Sequence, residues 1–152
     1  MISSTGAQKS SIITPLYQAA KHGISNFTRC MGTDLYKHTG IRCVAIAPGP
    51  TMSPLFLDHP EALKFVDLEN DALCTTDEVA RGMMGIITET ERFAPGTVLE
   101  VTHPDQWREV KLLNDPGPGG GTSKNAWTSK KDAAIVDVLK EIEKDSEGAA
   151  RA

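Results

Sequence analysis

No run of roughly 18 apolar residues occurs in this chain, and its start is not a charged segment followed by an apolar one. Neither a membrane span nor a signal peptide is therefore expected. Cysteine is scarce: Cys30, Cys43 and Cys74 are the whole supply, and their spacing suits no metal site. An odd count without a signal segment points to reduced, structural thiols and a cytoplasmic setting. The four histidines, His22, His38, His59 and His103, are scattered and form no ligand pair, so surface or loop positions are expected and no metal. Positive charge is not in excess. Sixteen basic against twenty acidic residues leave a net charge of −4, which argues against a nucleic-acid or anionic-membrane partner. No glycine-rich strand–turn–helix of the phosphate-binding kind is found. The one glycine-rich run, Pro116–Gly121, follows the last expected strand and precedes a polar stretch, so it reads as a flexible linker.

What is present is ordinary globular material with one unusual cluster. The length of 152 residues suits one domain, and 39% hydrophobic with 24% charged residues is near common usage. The cluster is Ser4, Tyr17 and Lys21. On a helix, positions four apart share a face about 6 Å apart along the axis, so Tyr17 and Lys21 point side by side. A phenol is a poor base at neutral pH. An ammonium beside it favours the phenolate, and acid–base catalysis works best when the group titrates near the working pH. A serine hydroxyl from a neighbouring strand end could bond the same substrate oxygen. The bland reading of Tyr-x-x-x-Lys is an aromatic on a core face beside a snorkelling lysine.

The surroundings favour a site. Residues 2–6 read as a strand end breaking into a loop, Pro15–His38 as a long helix, and Ile41–Ala47 as a buried strand. Pro48-Gly49-Pro50-Thr51-Met52-Ser53-Pro54 is then a rigid loop at that strand's carboxyl end, the edge where open α/β sheets bind ligands.

Three segments carry a resemblance: Ile2-Ser3-Ser4, Tyr17-Gln18-Ala19-Ala20-Lys21-His22-Gly23-Ile24, and Val44 through Pro54. Over residues 1–101 the chain resembles the short-chain dehydrogenase/reductase family, and residues 99–117 resemble fungal members related to hydroxyprostaglandin dehydrogenase. The resemblance implies the carboxyl-terminal half of a Rossmann-type, doubly wound parallel α/β sheet, here with a C-terminal helical extension. It implies catalytic roles for Ser4 (orienting the substrate oxygen), Tyr17 (acid/base) and Lys21 (favouring the phenolate and bonding the nicotinamide ribose). It implies that Tyr17, Lys21, Pro48, Gly49, Thr51 and Ser53 bind the cofactor, NAD or NADP with NAD favoured by the subgroup. Ser3, one residue off the family spacing, reads as structural. The family's Thr-Gly-x-x-x-Gly-x-Gly turn and its relay asparagine are not in this sequence, so a truncated chain lacking the amino-terminal half is expected.

The remainder divides coarsely. Residues 1–113 read as the partial dinucleotide-binding domain, 114–130 as linker, 131–146 as an amphipathic helix and 147–152 as a disordered tail. Leu55–Leu68 turns into a short helix, which the family uses as a lid lined by Leu55, Phe56, Leu57, Leu63, Phe65 and Val66. Half of these could equally pack on the sheet. Thr75 or Thr76 with Glu78 resembles a helix start, and Val79, Met83, Ile86 and Ile87 form its apolar stripe. Pro95-Gly96 is a turn, and Thr97–Val101 reads as the last strand. Residues 105–113 are either an edge segment or a short helix, packed by Trp107. Ile135, Val138, Leu139 and Ile142 give the C-terminal helix an apolar face that docks on the domain or enters a partner's groove.

The resulting expectation is an oxidoreductase interconverting a secondary alcohol and a ketone, with a small apolar substrate and a homo-oligomer formed through the Tyr17 helix. The alternative is a non-catalytic remnant serving as a binding or dimerisation module.

Overall fold

Proline at the first helical position and glycine just past the last one set the limits of helix α1 (Pro15–Thr39). Pro15 needs no amide partner there. Gly40 takes the left-handed conformation, φ 71°, and its N–H closes the helix on Tyr36 O at 2.9 Å. The computed structural model describes residues 1–59, 61, 64, 66–111 and 131–150, apart from the side chains of Phe56, Lys131, Asp132, Ala149 and Ala150.

Strand β1 (Ala45–Pro48) pairs in parallel with β4 (Val98–Thr102), placing Ile46 opposite Leu99 and Pro48 opposite Val101. On its other side, β1 is flanked by residues 1–4. Ile46 N–H donates to Met1 O at 3.0 Å and Ser3 N–H to Ile46 O at 2.7 Å, a parallel bridge that aligns Ile2 with Ile46. Two-residue strands β2 (Thr51–Met52) and β3 (Cys74–Thr75) form a separate parallel pair, and α2 (Pro54–Leu57) is a single turn after β2.

Helices cover both faces. Helix α3 (Thr76–Thr88) lies on the face bearing Ile46, Leu99 and Val101, which cluster with Ile86 and Phe93, flanked by Val44, Val79, Met83 and Trp107. Its start is a capping box: Glu78 N–H donates to Thr75 Oγ1 while Thr75 N–H donates to the Glu78 carboxylate. The opposite face carries Ala45, Ala47 and Val98. Helix α1 meets it with its own small buried residues, Ser25, Thr28 and Gly32. Gly32 is pressed on the Pro95–Gly96 turn so closely that a Cβ there would stand 2.4 Å from Gly96 Cα.

Several expectations need correction. Strand β1 starts at Ala45, because Ile41 is exposed and the Arg42 guanidinium reaches the carbonyls of Ile86, Ile87 and Phe93, so this stretch anchors the α3 end instead of joining the ladder. Ile87 is exposed, so the α3 stripe is Val79, Met83 and Ile86. The strand at 98–102 is followed by another, β5 (Gln106–Glu109), antiparallel to β4, and Trp107 packs on Phe93 with ring centroids 6.3 Å apart. Helix α4 (Lys131–Ala150) continues through residues 147–150, expected as tail, and docks on α1 with an ion pair between His38 and Glu143. The expected linker at 114–130 and lid residues Leu63 and Phe65 lie outside the described residues. Leu55 and Leu57 are exposed on α2. Among the described residues no helix is long and apolar enough to cross a membrane.

Candidate functional site

The face of α1 that lies on the sheet does not end with the sheet. Tyr17, Lys21, Ser25, Thr28 and Gly32 fall within about 80° of one another at 100° per residue. The last three are buried against β1 and β4. Residues 1–4, β1 and β4 are parallel, and the chain turns over at residues 5–14 before α1 returns. The start of α1 therefore lies at the carboxyl edge, and the same stripe emerges there with Tyr17 about half exposed, at 49%. Burial along one helical face and exposure at its end place a phenol and an ammonium over the edge of the sheet.

Ser4 reaches that edge by strand register. It follows Ile2, which pairs with Ile46, and Pro48 is two residues beyond Ile46. Ser4 has extended backbone and caps the short 3-10 turn Thr5–Gln8, its Oγ accepting the Gly6 N–H at 3.1 Å. Gly6 shows how close Ser4 and Tyr17 are. A Cβ built on it would lie 3.4 Å from Ser4 Oγ and 3.5 Å from Tyr17 Cε1. The Lys21 ammonium stands 5.7 Å from the Tyr17 ring centroid and donates to Ile2 O at 3.1 Å. Ser3 is buried, with its hydroxyl donating to Lys21 O at 3.0 Å and paired with Ser25 Oγ at 2.6 Å.

The loop after β1 forms the adjoining wall. Gly49 is buried, its N–H donating to Val101 O at 2.8 Å, and a Cβ there would touch Cys74 Sγ at 3.4 Å. Thr51 turns its hydroxyl back to Gly49 O at 2.9 Å and pairs with Cys74 through β2 and β3. Ser53 caps α2 with its carbonyl, which accepts the Leu57 N–H at 2.9 Å. Burial pushes the Cys74 thiol up from its ordinary value, aided by the Glu78 charge.

One cluster at this edge has only half a signal in the sequence. The Glu78 carboxylate accepts from Thr75 N–H at 2.7 Å and from Asp105 N–H at 2.9 Å, and also contacts His103 Nδ1 at 2.9 Å. The Thr75 amide above all, then that of Asp105, holds Glu78 down to about 2 against the cost of its burial. Arg81 in turn forms a bidentate pair with Asp105, its Nε donating to Oδ1 at 3.1 Å and its Nη2 to Oδ2 at 2.7 Å. The capping-box pattern marks Glu78 as a helix start. Nothing in the chain order shows that its second oxygen ties α3 to the β4–β5 turn. His103 lies exposed in the β4–β5 turn, a loop position as expected, and its ring is tied to Glu78. Among the described residues, no group of three or more His, Cys, Asp or Glu residues could hold a metal ion.

A phenol, an ammonium and a hydroxyl at the carboxyl edge of a parallel sheet, beside a Pro-Gly loop, is the arrangement that sequence comparison then meets. Residues 1–63 match the model of the short chain dehydrogenase family. No curated protein matches the chain. Among solved structures, a short chain dehydrogenase from Mycobacterium avium is 22% identical with a TM-score of 0.56, over 92% of this chain and 44% of that one. ElxO with NADP bound is 24% identical with a TM-score of 0.54, over 66% of this chain and 42% of that one. An oxidoreductase of the short chain dehydrogenase/reductase family from Burkholderia thailandensis is 22% identical with a TM-score of 0.52, over 66% and 40%. At these identities the likeness is one of fold. It gives a Rossmann-type α/β arrangement with a parallel sheet, and the chain spans less than half the length of each of these three proteins. The match to the family model covers Ser4, Tyr17, Lys21 and the Pro48–Ser53 loop.

Proposed function

We propose that this chain carries the proton-handling half of a nicotinamide-dependent oxidoreductase that interconverts a secondary alcohol and a ketone. The observation that supports it is the single α1 stripe, buried at Ser25, Thr28 and Gly32 and exposed at Tyr17, which sets Tyr17 and Lys21 beside Ser4 over the sheet edge.

In the oxidising direction the Tyr17 phenolate takes the alcohol proton. In the reducing direction the Tyr17 phenol returns a proton to the carbonyl oxygen. Ser4 Oγ, held by the Gly6 amide, keeps its own proton to donate to the same oxygen. The Lys21 ammonium stands 5.7 Å from the Tyr17 ring centroid, and after bonding Ile2 O it retains two protons for other acceptors. The nicotinamide group supplies the hydride chemistry when bound.

The residues present fit the nicotinamide end of that group. Tyr17 and Lys21 face it from α1, while Pro48, Gly49, Thr51 and Ser53 bound it along the loop, where a Cβ on the buried Gly49 would be in contact with Cys74 Sγ, Thr102 and the Val101 carbonyl. NAD is the favoured form, and the exposed apolar Leu55 and Leu57 after the loop suit a small apolar substrate. Pairing of two chains through α1 is part of the proposal.

A second reading has its own observation. Met1 and Ile2 are 50% and 53% exposed at the outer side of the sheet, and the Ile2 carbonyl there is met only by a lysine side chain among the described residues. An edge of this kind suits a module that binds a partner chain. The two readings separate on titration of the purified, folded chain with NAD(H) and NADP(H), followed by nicotinamide fluorescence and thermal shift. Saturable binding, with turnover abolished by Tyr17→Phe, is the expected result. Absence of saturable binding by a folded chain would reject the stand-alone enzyme, and full activity in Tyr17→Phe would reject the mechanism.

A further inference from the structure

Resting on the oxidoreductase reading above, we infer that Ser3 and Ser25 are positioning residues: a buried hydroxyl clasp that locks α1 to residues 1–4 at Lys21 and so sets the spacing of Tyr17 and Ser4. Both serines are buried, at 2% and 0% exposure. Ser3 Oγ donates to Lys21 O at 3.0 Å, so the 2.6 Å contact between the hydroxyls has Ser25 as donor and Ser3 as acceptor.

This arrangement is not the one a helical serine adopts by default. Ser25 is four residues after Lys21, so its amide already bonds the Lys21 carbonyl within α1. Its hydroxyl could back-bond to that same carbonyl. Instead it reaches across to Ser3, and the second position at the Lys21 carbonyl is taken by Ser3. Lys21 thus grips residues 1–4 twice: through its carbonyl to Ser3, and through its ammonium to Ile2 O at 3.1 Å. Ser3 is itself fixed to β1 by its N–H on Ile46 O at 2.7 Å. The joint is one residue from Ser4 and one helical turn from Tyr17.

The chemistry explains why such a clasp matters more for placement than for stability. Replacing both partners of a buried hydrogen bond by apolar groups of similar shape is nearly neutral. Misplacing a reacting group by about 1 Å costs on the order of 100-fold in rate. Ala45 and Ala47 present only small side chains on this face, and two other fixed contacts of α1, Arg29 on Val110 O at 3.1 Å and Gly32 on the Pro95–Gly96 turn, lie one to two turns beyond Ser25, away from Tyr17.

The chain has two tyrosines, Tyr17 and Tyr36, so a Tyr36→Phe background leaves Tyr17 alone. The full chain labelled with 3-fluorotyrosine then reports the placement of Tyr17 by a single 19F resonance, with no cofactor needed. In Ser3→Ala/Ser25→Ala the resonance should move by more than its linewidth or split, with little change in melting temperature. Thr28→Val, which removes another buried hydroxyl from the same α1 face, should leave it in place. Where turnover is measured, kcat of the double variant should fall on the order of tenfold to 100-fold with KM nearly unchanged. Ser25→Ala keeps Ser3 Oγ bonded to Lys21 O, and in Ser3→Ala the freed Ser25 hydroxyl can back-bond to that carbonyl, so both should fold and give intermediate shifts if the double variant does not. An unmoved resonance in the serine variants, or an equal movement in Thr28→Val, overturns the inference. Loss of turnover or of nicotinamide binding in the parent itself would instead reject the enzyme reading, and the fluorine signal would still decide the clasp.

Discussion

Two glycines on α1 should respond to the same substitution with opposite signs. Gly32 is buried against the Pro95–Gly96 turn, and an added Cβ would come within 2.4 Å of Gly96 Cα, 2.6 Å of Gly96 N and 3.0 Å of Pro95 C. All three are backbone atoms, so no side-chain rotation can relieve the contact. Overpacking a close-packed site costs about 1–3 kcal/mol, and an unyielding wall puts Gly32→Ala at the upper end. Replacing glycine by alanine in a helix interior returns about 1 kcal/mol. The net loss is about 2 kcal/mol, a fall of roughly 4–8 °C in Tm for a chain of this length. Gly23, nine residues earlier on the same helix, has nothing within 4 Å of an added Cβ. There the propensity gain stands alone, and Gly23→Ala should stabilise by about 0.5–1 kcal/mol, or roughly 1–4 °C. Differential scanning calorimetry and urea unfolding of the two variants beside the parent measure both. A Gly32→Ala chain as stable as the parent would refute the packing of α1 on that turn. A destabilised Gly23→Ala would refute the open surface at that position.

Acid should weaken the fold through Glu78. Its folded-state value is lowered from 4.5 to about 2, so the carboxylate's contribution is complete above 4.5 and is lost as pH falls towards 2. Glu78→Gln should flatten stability against pH across that window, and urea midpoints from pH 6 down to 2.5 would show it. Thr75→Ala removes the hydroxyl that accepts the Glu78 N–H and should cost about 1 kcal/mol, with wild-type nicotinamide binding wherever the parent binds. A loss of well under half that value by urea unfolding would mean that the cap is dispensable.

What chain order settled was local. Pro15 and Gly40 bracket α1 through the missing proline amide and the left-handed glycine, and both lie in the sequence in plain view. The four-residue step from Tyr17 to Lys21 puts them on one face whatever surrounds the helix, and Thr75 with Glu78 forms its capping box within one turn. These features depend on atoms a few residues apart, where covalent geometry limits the choices.

Tertiary structure decided the rest. That the Tyr17 stripe is also the buried stripe of α1 follows only once small residues of β1 face Ser25, Thr28 and Gly32. Ser3 and Ser25 are 22 residues apart, and their hydrogen bond exists because a parallel bridge brings Ile2 beside Ile46. Periodicity pointed to Ile87 as core and to Ile41 as strand, yet both are exposed, since Arg42 spends the approach to β1 on the carbonyls at the α3 end. Glu78 is a helix cap by sequence and a three-way anchor for His103 and Asp105 by fold. Short-range hydrogen bonds and helical periodicity are written in residue order. Which face meets which, and which hydroxyls meet across the interface, depends on the register between segments tens of residues apart, and that is set only when they pack.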